Sequence, residues 1–204
     1  MDTNPRKLPC QSRSKATFDA IVEATTQLLL REGYDRFTTA RVANRAGVSI
    51  GTLYQYFPNK TALAVAVIDR SCDEFVAAFA NRIVGCAEAT LHDAIRRLVH
   101  ETLLTHHLEP DLHRIVNELA RRIGVGDRTD KVGRSAARMI EVLLRRHIDE
   151  IRPEIDVAAA ATMIEGMLEG LSHRVQLARP AILPGDVLAR ETMQLILRYL
   201  SSTA

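Results

Sequence analysis

Apolar residues recur at intervals of three and four along nearly the whole of this chain, and no stretch alternates β-branched residues between hairpin turns. That periodicity predicts an all-α fold and leaves catalytic frames built on strands nowhere to sit. Ala20, Ile21, Ala24 and Leu28 mark a helix from Ser14 to Glu32, with Gly33 just past its end. A long helix follows from Lys60 to about Gly85 through Leu63, Val67, Ile68, Cys72, Phe75, Val76, Phe79 and Ile83. Further helices are expected at about 90–108, 111–123, 130–151, 154–178 and 186–201. Their breaks fall at Pro110, at Gly124-Val125-Gly126, at Pro153, and at Pro180 with Pro184-Gly185.

Charge is distributed unevenly over this pattern. Residues 1–60 hold nine Lys/Arg against five Asp/Glu, whereas residues 61–204 hold 18 against 20. A basic small end on an acidic larger body is what a separate polyanion-binding unit looks like. The expected organisation is a flexible basic arm over 1–12, a small domain over 13–60 and a larger helical body over 61–204. Arg6, Lys7, Arg13 and Lys15 precede or open the first helix and are expected to add phosphate or minor-groove contacts. No apolar run reaches the roughly 18 residues of a membrane span, and MDTNPRKLPCQSR lacks the apolar core of a signal peptide, so a cytoplasmic location is expected. Cys10, Cys72 and Cys86 are odd in number and scattered. On one helix Cys72 and Cys86 lie about 21 Å apart at 1.5 Å per residue, too far for a bridge.

The most informative stretch is TTARVANRAGVSIGTLYQYFPNK, Thr38 to Lys60. Thr38 suits a helix N-cap with Phe37 stapled to Val42, and the same grammar recurs eleven residues later with Ser49 as cap and Val48 stapled to Leu53. Gly47 supplies a left-handed turn between the two helices, and Ala43 is small where they cross. The prediction is helix, tight turn, helix around a miniature core of Val42, Ala46, Val48 and Leu53. Ser49, Gly51, Thr52 and Gln55 are left facing outward, a small polar surface able to enter a major groove. Tyr54 and Tyr56 are expected to lend hydroxyls to phosphates, Phe57 to turn inward, and Lys60 to add a charge at the rim.

This stretch resembles the tetracycline-repressor (TetR) family of one-component regulators. The resemblance runs from about Ser14 to Asp69 through IVEATTQLLLREGYDRFTT, VANRAGVS and IGTLYQYFPNK, the last run being its most specific part. Leu29 and Leu30 stand where the family often has Phe, and Phe37 is bulkier than usual before the cap. The resemblance implies a three-helix DNA-binding head, a linking helix, and a C-terminal helical domain that dimerises and holds an effector pocket. Carried onto this chain, it implies DNA contacts from Thr38, Thr39, Ser49, Gly51, Thr52, Tyr54, Gln55, Tyr56 and Lys60 on double-stranded operator DNA.

Other constellations carry less. His106 and His107 point about 100° apart on a helix, no His pair stands at i, i+4, and Pro110 separates His113, so no metal site is expected. No nucleophile elbow, phosphate loop or metalloprotease motif is present, and no cofactor or catalysis is expected. Arg96-Arg97, Arg121-Arg122 and Arg145-Arg146 alternate with acids, as solvated helix faces do. The helix over 154–178 is apolar on two faces, with Gly166 and Gly170 spaced for close approach, and the last helix repeats the pattern. A homodimer with a four-helix interface is therefore expected, formed by Ile164, Gly166, Met167, Gly170, Leu171, Leu188, Leu195, Ile196 and Tyr199. An effector is expected among Phe75, Phe79, Leu103, His107, Met139 and Met163. The alternatives are a constitutive DNA-binding dimer with a solid body, and a helical enzyme with a vestigial head.

Overall fold

The computed structural model describes residues 12–84, 90–103, 110–177 and 185–201; His107, Cys10, Cys86 and most of the basic arm lie outside them. Among the described residues every regular element is helical: α1 (Ser12–Arg36), α2 (Thr39–Arg45), α3 (Ile50–Tyr56), α4 (Lys60–Val84), α5 (Leu91–Leu103), α6 (Pro110–Arg122), α7 (Gly126–Arg146), α8 (Val157–Leu177) and α9 (Gly185–Leu200), with a 3-10 turn at Ile148–Glu150. The all-α expectation holds. In α1 the expected stop at Gly33 is a kink, φ 76° and ψ 169°, beyond which one more turn reaches Arg36. That backbone region is open essentially to glycine alone.

The chain forms two compact units, one of residues 1–73 with 111–129, the other of 74–110 with 130–204. The division differs from the expected boundary after residue 60. The continuous run Ala62–Ile68 of α4 is buried within the first unit, whose core also takes Val116, Leu119 and Ala120 of α6 together with Ile21, Leu29, Phe37, Leu53 and Phe57. Each Val, Leu, Ile or Phe side chain among them contributes about 1.5–3 kcal/mol on full burial. Arg122 reinforces the docking of α6 with two hydrogen bonds to Asp35, at 2.6 and 3.1 Å, and its guanidinium holds the Asp35 carboxyl below the usual range. Arg128 pairs with Asp69 in the same unit. Cys72 is half-buried and its thiol is pushed up to about 11 by burial and by the nearby carboxylates of Asp69 and Asp73.

In the second unit α5 packs against α8 and α9 around Leu91, Ile95, Leu98, Ile140, Leu143, Leu144, Ile164, Leu168, Ile196 and Leu200. Local chemistry moves several boundaries. Asp156, not Pro153, starts α8, its Oδ1 accepting from the backbone N–H groups of Ala158 and Ala159 at 2.9 and 3.0 Å. Glu150 accepts from the N–H of Leu91 at 3.0 Å at the start of α5. Arg152 closes the far end of α9, donating from its backbone to Leu200 O and from its side chain to Tyr199 O. Ile164 and Ile196, expected at a dimer interface, lie instead in this unit's own core, because they share a helix face with Leu168 and Leu200 respectively.

Candidate nucleic-acid interface

The two caps are those the sequence spells out. Thr38 Oγ1 accepts from Arg41 N at 3.3 Å and Ser49 Oγ from Thr52 N at 3.0 Å, each from an extended backbone. Gly47 takes φ 68° between the helices, a conformation glycine adopts without Cβ strain. Phe37, Val42, Leu53 and Phe57 are fully buried, and Ala46 and Val48 pack against the same core, which fixes the crossing of α2 and α3.

That packing decides what faces solvent. Ser49, Gly51, Tyr54 and Gln55 are exposed and Thr52 half-exposed, as the spacing predicts. Ser49 and Thr52 also share a hydroxyl hydrogen bond at 2.8 Å, so the Thr52 hydroxyl is held in place while retaining acceptor capacity. Tyr54 Oη lies 3.1 Å from Thr39 Oγ1, tying α3 to the start of α2 and setting two hydroxyls side by side at the surface. Thr38 is exposed beside them.

Two expected contacts are placed differently. Tyr56 is only 8% exposed; its ring meets Phe18 edge-on and its hydroxyl lies 3.0 Å from Ser14 Oγ, so it is a core residue of α3's inner face. The Lys60 ammonium lies 4.7 Å from the centroids of both Tyr34 and Phe37 and donates to Asp35 O at 3.1 Å, so it caps the end of α1. Conversely, Ile50 is 44% exposed at the first position of α3, an apolar group presented beside Ser49 and Gly51. Its sequence signal is an apolar residue directly after a cap and off the Val48/Leu53 face. Arg41 and Arg45 of α2 are tied back to α1, through Glu32 at 2.5 Å and Gln27 at 2.6 Å.

The second unit holds a small open cleft lined by Phe75, Phe79, Thr102, Ala136, Ile140, Glu165, Leu168 and Glu169. Of the residues expected to hold an effector, it brings Phe75 and Phe79 together, stacked 6.2 Å apart. Leu103 is core and Met139 packs against the core, neither lining the cleft. Met163 is 60% exposed and outside the cleft, because it sits on the side of α8 opposite Glu165 and Leu168, which line it. Among the described residues no group of three potential ligands gathers for a metal, and no helix is long and apolar enough to cross a membrane.

Residues 21–67 match the family described as bacterial regulatory proteins, tetR family, and residues 90–200 match the tetracyclin repressor-like C-terminal domain. The chain is 29% identical over 162 residues to the nucleoid occlusion factor SlmA of Vibrio campbellii, covering 76% of this chain and 82% of that protein. Over 50 residues, 24% of each chain, it is 44% identical to the HTH-type transcriptional repressor KstR of Rhodococcus jostii. The structure of the fatty acid degradation regulator FadR from Bacillus halodurans superposes with a TM-score of 0.63 at 20% identity, covering 89% of this chain and 98% of that one, a likeness of fold. Both halves of the chain match, the second over more than half its length, and the capped helix pair stands where the first match lies: the chain belongs to the TetR family of DNA-binding transcriptional regulators.

Proposed function

We propose that the chain is a cytoplasmic repressor that binds a two-fold operator as a homodimer and is released by a small-molecule effector. The observation that carries this reading is α4. Its residues Ala62–Ile68 are buried in the core of the unit that holds the recognition face, and Phe75 and Phe79 of the same helix line the cleft in the other unit. An occupant of the cleft that displaces α4 therefore touches a helix that also packs in the recognition unit. In a dimer the two heads enter successive major grooves, so a small change in their separation loses contacts at both half-sites. The basic arm adds phosphate or minor-groove contacts.

Dimerisation is supported by the outward side of α8 and α9. Met163 and Leu195 are 60% and 58% exposed, and a Cβ built at Gly166 or Gly170 meets, among the described residues, nothing beyond its own helix within 4 Å. Among the described residues nothing requires glycine at these positions, and glycine there lets a partner helix approach closely. Met167, Leu171, Leu188 and Tyr199 are partly buried at the margin. Met163 thus moves from the effector group to the dimer group.

The test begins with selection of a binding sequence from random duplex DNA. Effector affinity is then measured by calorimetry with and without that duplex, since linkage requires each ligand to weaken the other by the same factor. Equal affinities in the two titrations reject release by effector. They would favour the second reading, a constitutive DNA-binding dimer, which draws support from the modest volume of the cleft.

A further inference from the structure

Two features of the cleft in the second unit are costs to folding that a ligand would offset, and a third attracts one. The first is Thr102. Thr17, Thr25, Thr26 and Thr162 all donate to the carbonyl four residues back, at 2.8 to 3.1 Å. Thr102 lies in a helix too, is 95% buried and lines the cleft, yet among the described residues its Oγ1 has no hydrogen-bond partner. A buried hydroxyl left unpaired is rare in folded proteins, and this one belongs to a residue of the cleft wall.

The second is Glu165. It is half-buried on α8, with Glu169 one turn further along the same wall, and among the described residues it has no hydrogen bond or ion pair. Burial, and then the Glu169 carboxylate, push its pKa above the usual carboxylate range. Gly133 of α7 makes room for this carboxylate, since a Cβ there would lie 3.0 Å from Glu165 Oε1. The third is the stacked pair Phe75 and Phe79, whose ring faces are electron-rich and attract cations.

We propose that the cleft takes a small organic cation, an ammonium or amidinium on an aromatic or aliphatic body, its N–H groups on Glu165 and Thr102 and its body against Phe75 and Phe79. The proposal rests on the effector reading above and names the class of effector. The Glu165 carboxylate repels an anionic occupant such as a fatty acid, and an uncharged one leaves it unpaired.

The test is calorimetry of the full chain against three probes of one shape: 2-phenylethylammonium, 2-phenylethanol and 3-phenylpropanoate. The cation is expected to bind at least tenfold tighter than the alcohol, and the acid not at all. Glu165→Gln should lower the cation's affinity about tenfold and erase its preference over the alcohol. Gly133→Ala should act in the same direction without altering charge, by displacing the Glu165 carboxylate. Thermal unfolding of both variants shows that they fold. Failure of the cation to bind, equal or tighter binding of the acid or alcohol, or a cation affinity unchanged in Glu165→Gln overturns the proposal. Displacement of the selected duplex is read in parallel. A cation that binds without releasing DNA sinks the effector reading and keeps the cation site, whereas release by the acid alone does the reverse.

Discussion

The hydroxyl of Tyr56 lies 3.0 Å from Ser14 Oγ, so the second tyrosine of the Tyr-Gln-Tyr run fastens the end of α3 to the start of α1 while its neighbour Tyr54 faces outward. The two residues are therefore separable by mutation. Tyr56→Phe should lower stability by about 0.5–1.5 kcal/mol, the net worth of one hydrogen bond, with no change in base preference. Tyr54→Phe should weaken DNA binding evenly across sequences at little cost in stability. Chemical denaturation and anisotropy titrations on the same two proteins separate the outcomes; a base preference altered by Tyr56→Phe would place its phenol at the DNA after all.

Sequence preference should reside in Ile50, Thr52 and Gln55. Each alanine substitution is expected to change discrimination at one or two operator positions by about 1–3 kcal/mol per base pair. Lys60→Ala should chiefly lower the melting temperature, because its ammonium sits over Tyr34 and Phe37 and caps α1. Binding measured over a panel of operator variants decides between the two kinds of effect.

Docking of α6 onto the first unit is an apolar event with an electrostatic trim. Leu119→Ala should destabilise the protein by about 2–5 kcal/mol, as core truncations of this size do. Asp35→Asn should cost far less, since the pair with Arg122 is exposed and screened by salt. The sign of its pH dependence is fixed. The carboxyl is depressed in the folded protein, so its contribution is full above the unfolded value of about 3.9 and is lost as pH falls through the lower folded value. Melting curves of the wild type and Asp35→Asn should accordingly converge in acid and in high salt; a difference that persists in both would mean the pair acts through packing.

Leu195→Glu should convert a dimer to a monomer without unfolding it, because Leu195 is mostly solvent-exposed within its own chain. Ile196→Glu, one residue on, should unfold the second unit by burying a charge in its core. Sedimentation velocity with circular dichroism reads both. A Leu195→Glu protein that stays dimeric would move the interface off this face.

The sequence alone determined the helical class, the two capped helices and the turn between them, since caps at Thr38 and Ser49, a left-handed glycine at 47 and apolar residues at helical spacing are local signals whose partners lie within a few residues. It also marked most of the outward face of α3, because helical geometry converts spacing into direction. Tertiary structure decided the rest. Whether a residue on a two-sided apolar helix meets its own core or a free surface depends on which elements pack there. Ile164 and Met163, adjacent in sequence, accordingly part into core and surface. Tyr56 and Lys60 were drawn inward by partners 42 and 25 residues away, Ser14 and the Asp35 carbonyl, and α6 joined the first unit through side chains far from it in sequence. The unpaired hydroxyl of Thr102 and the close approach of Glu165 to Gly133 have no sequence signature either, because both arise from the meeting of helices that periodicity describes only one at a time.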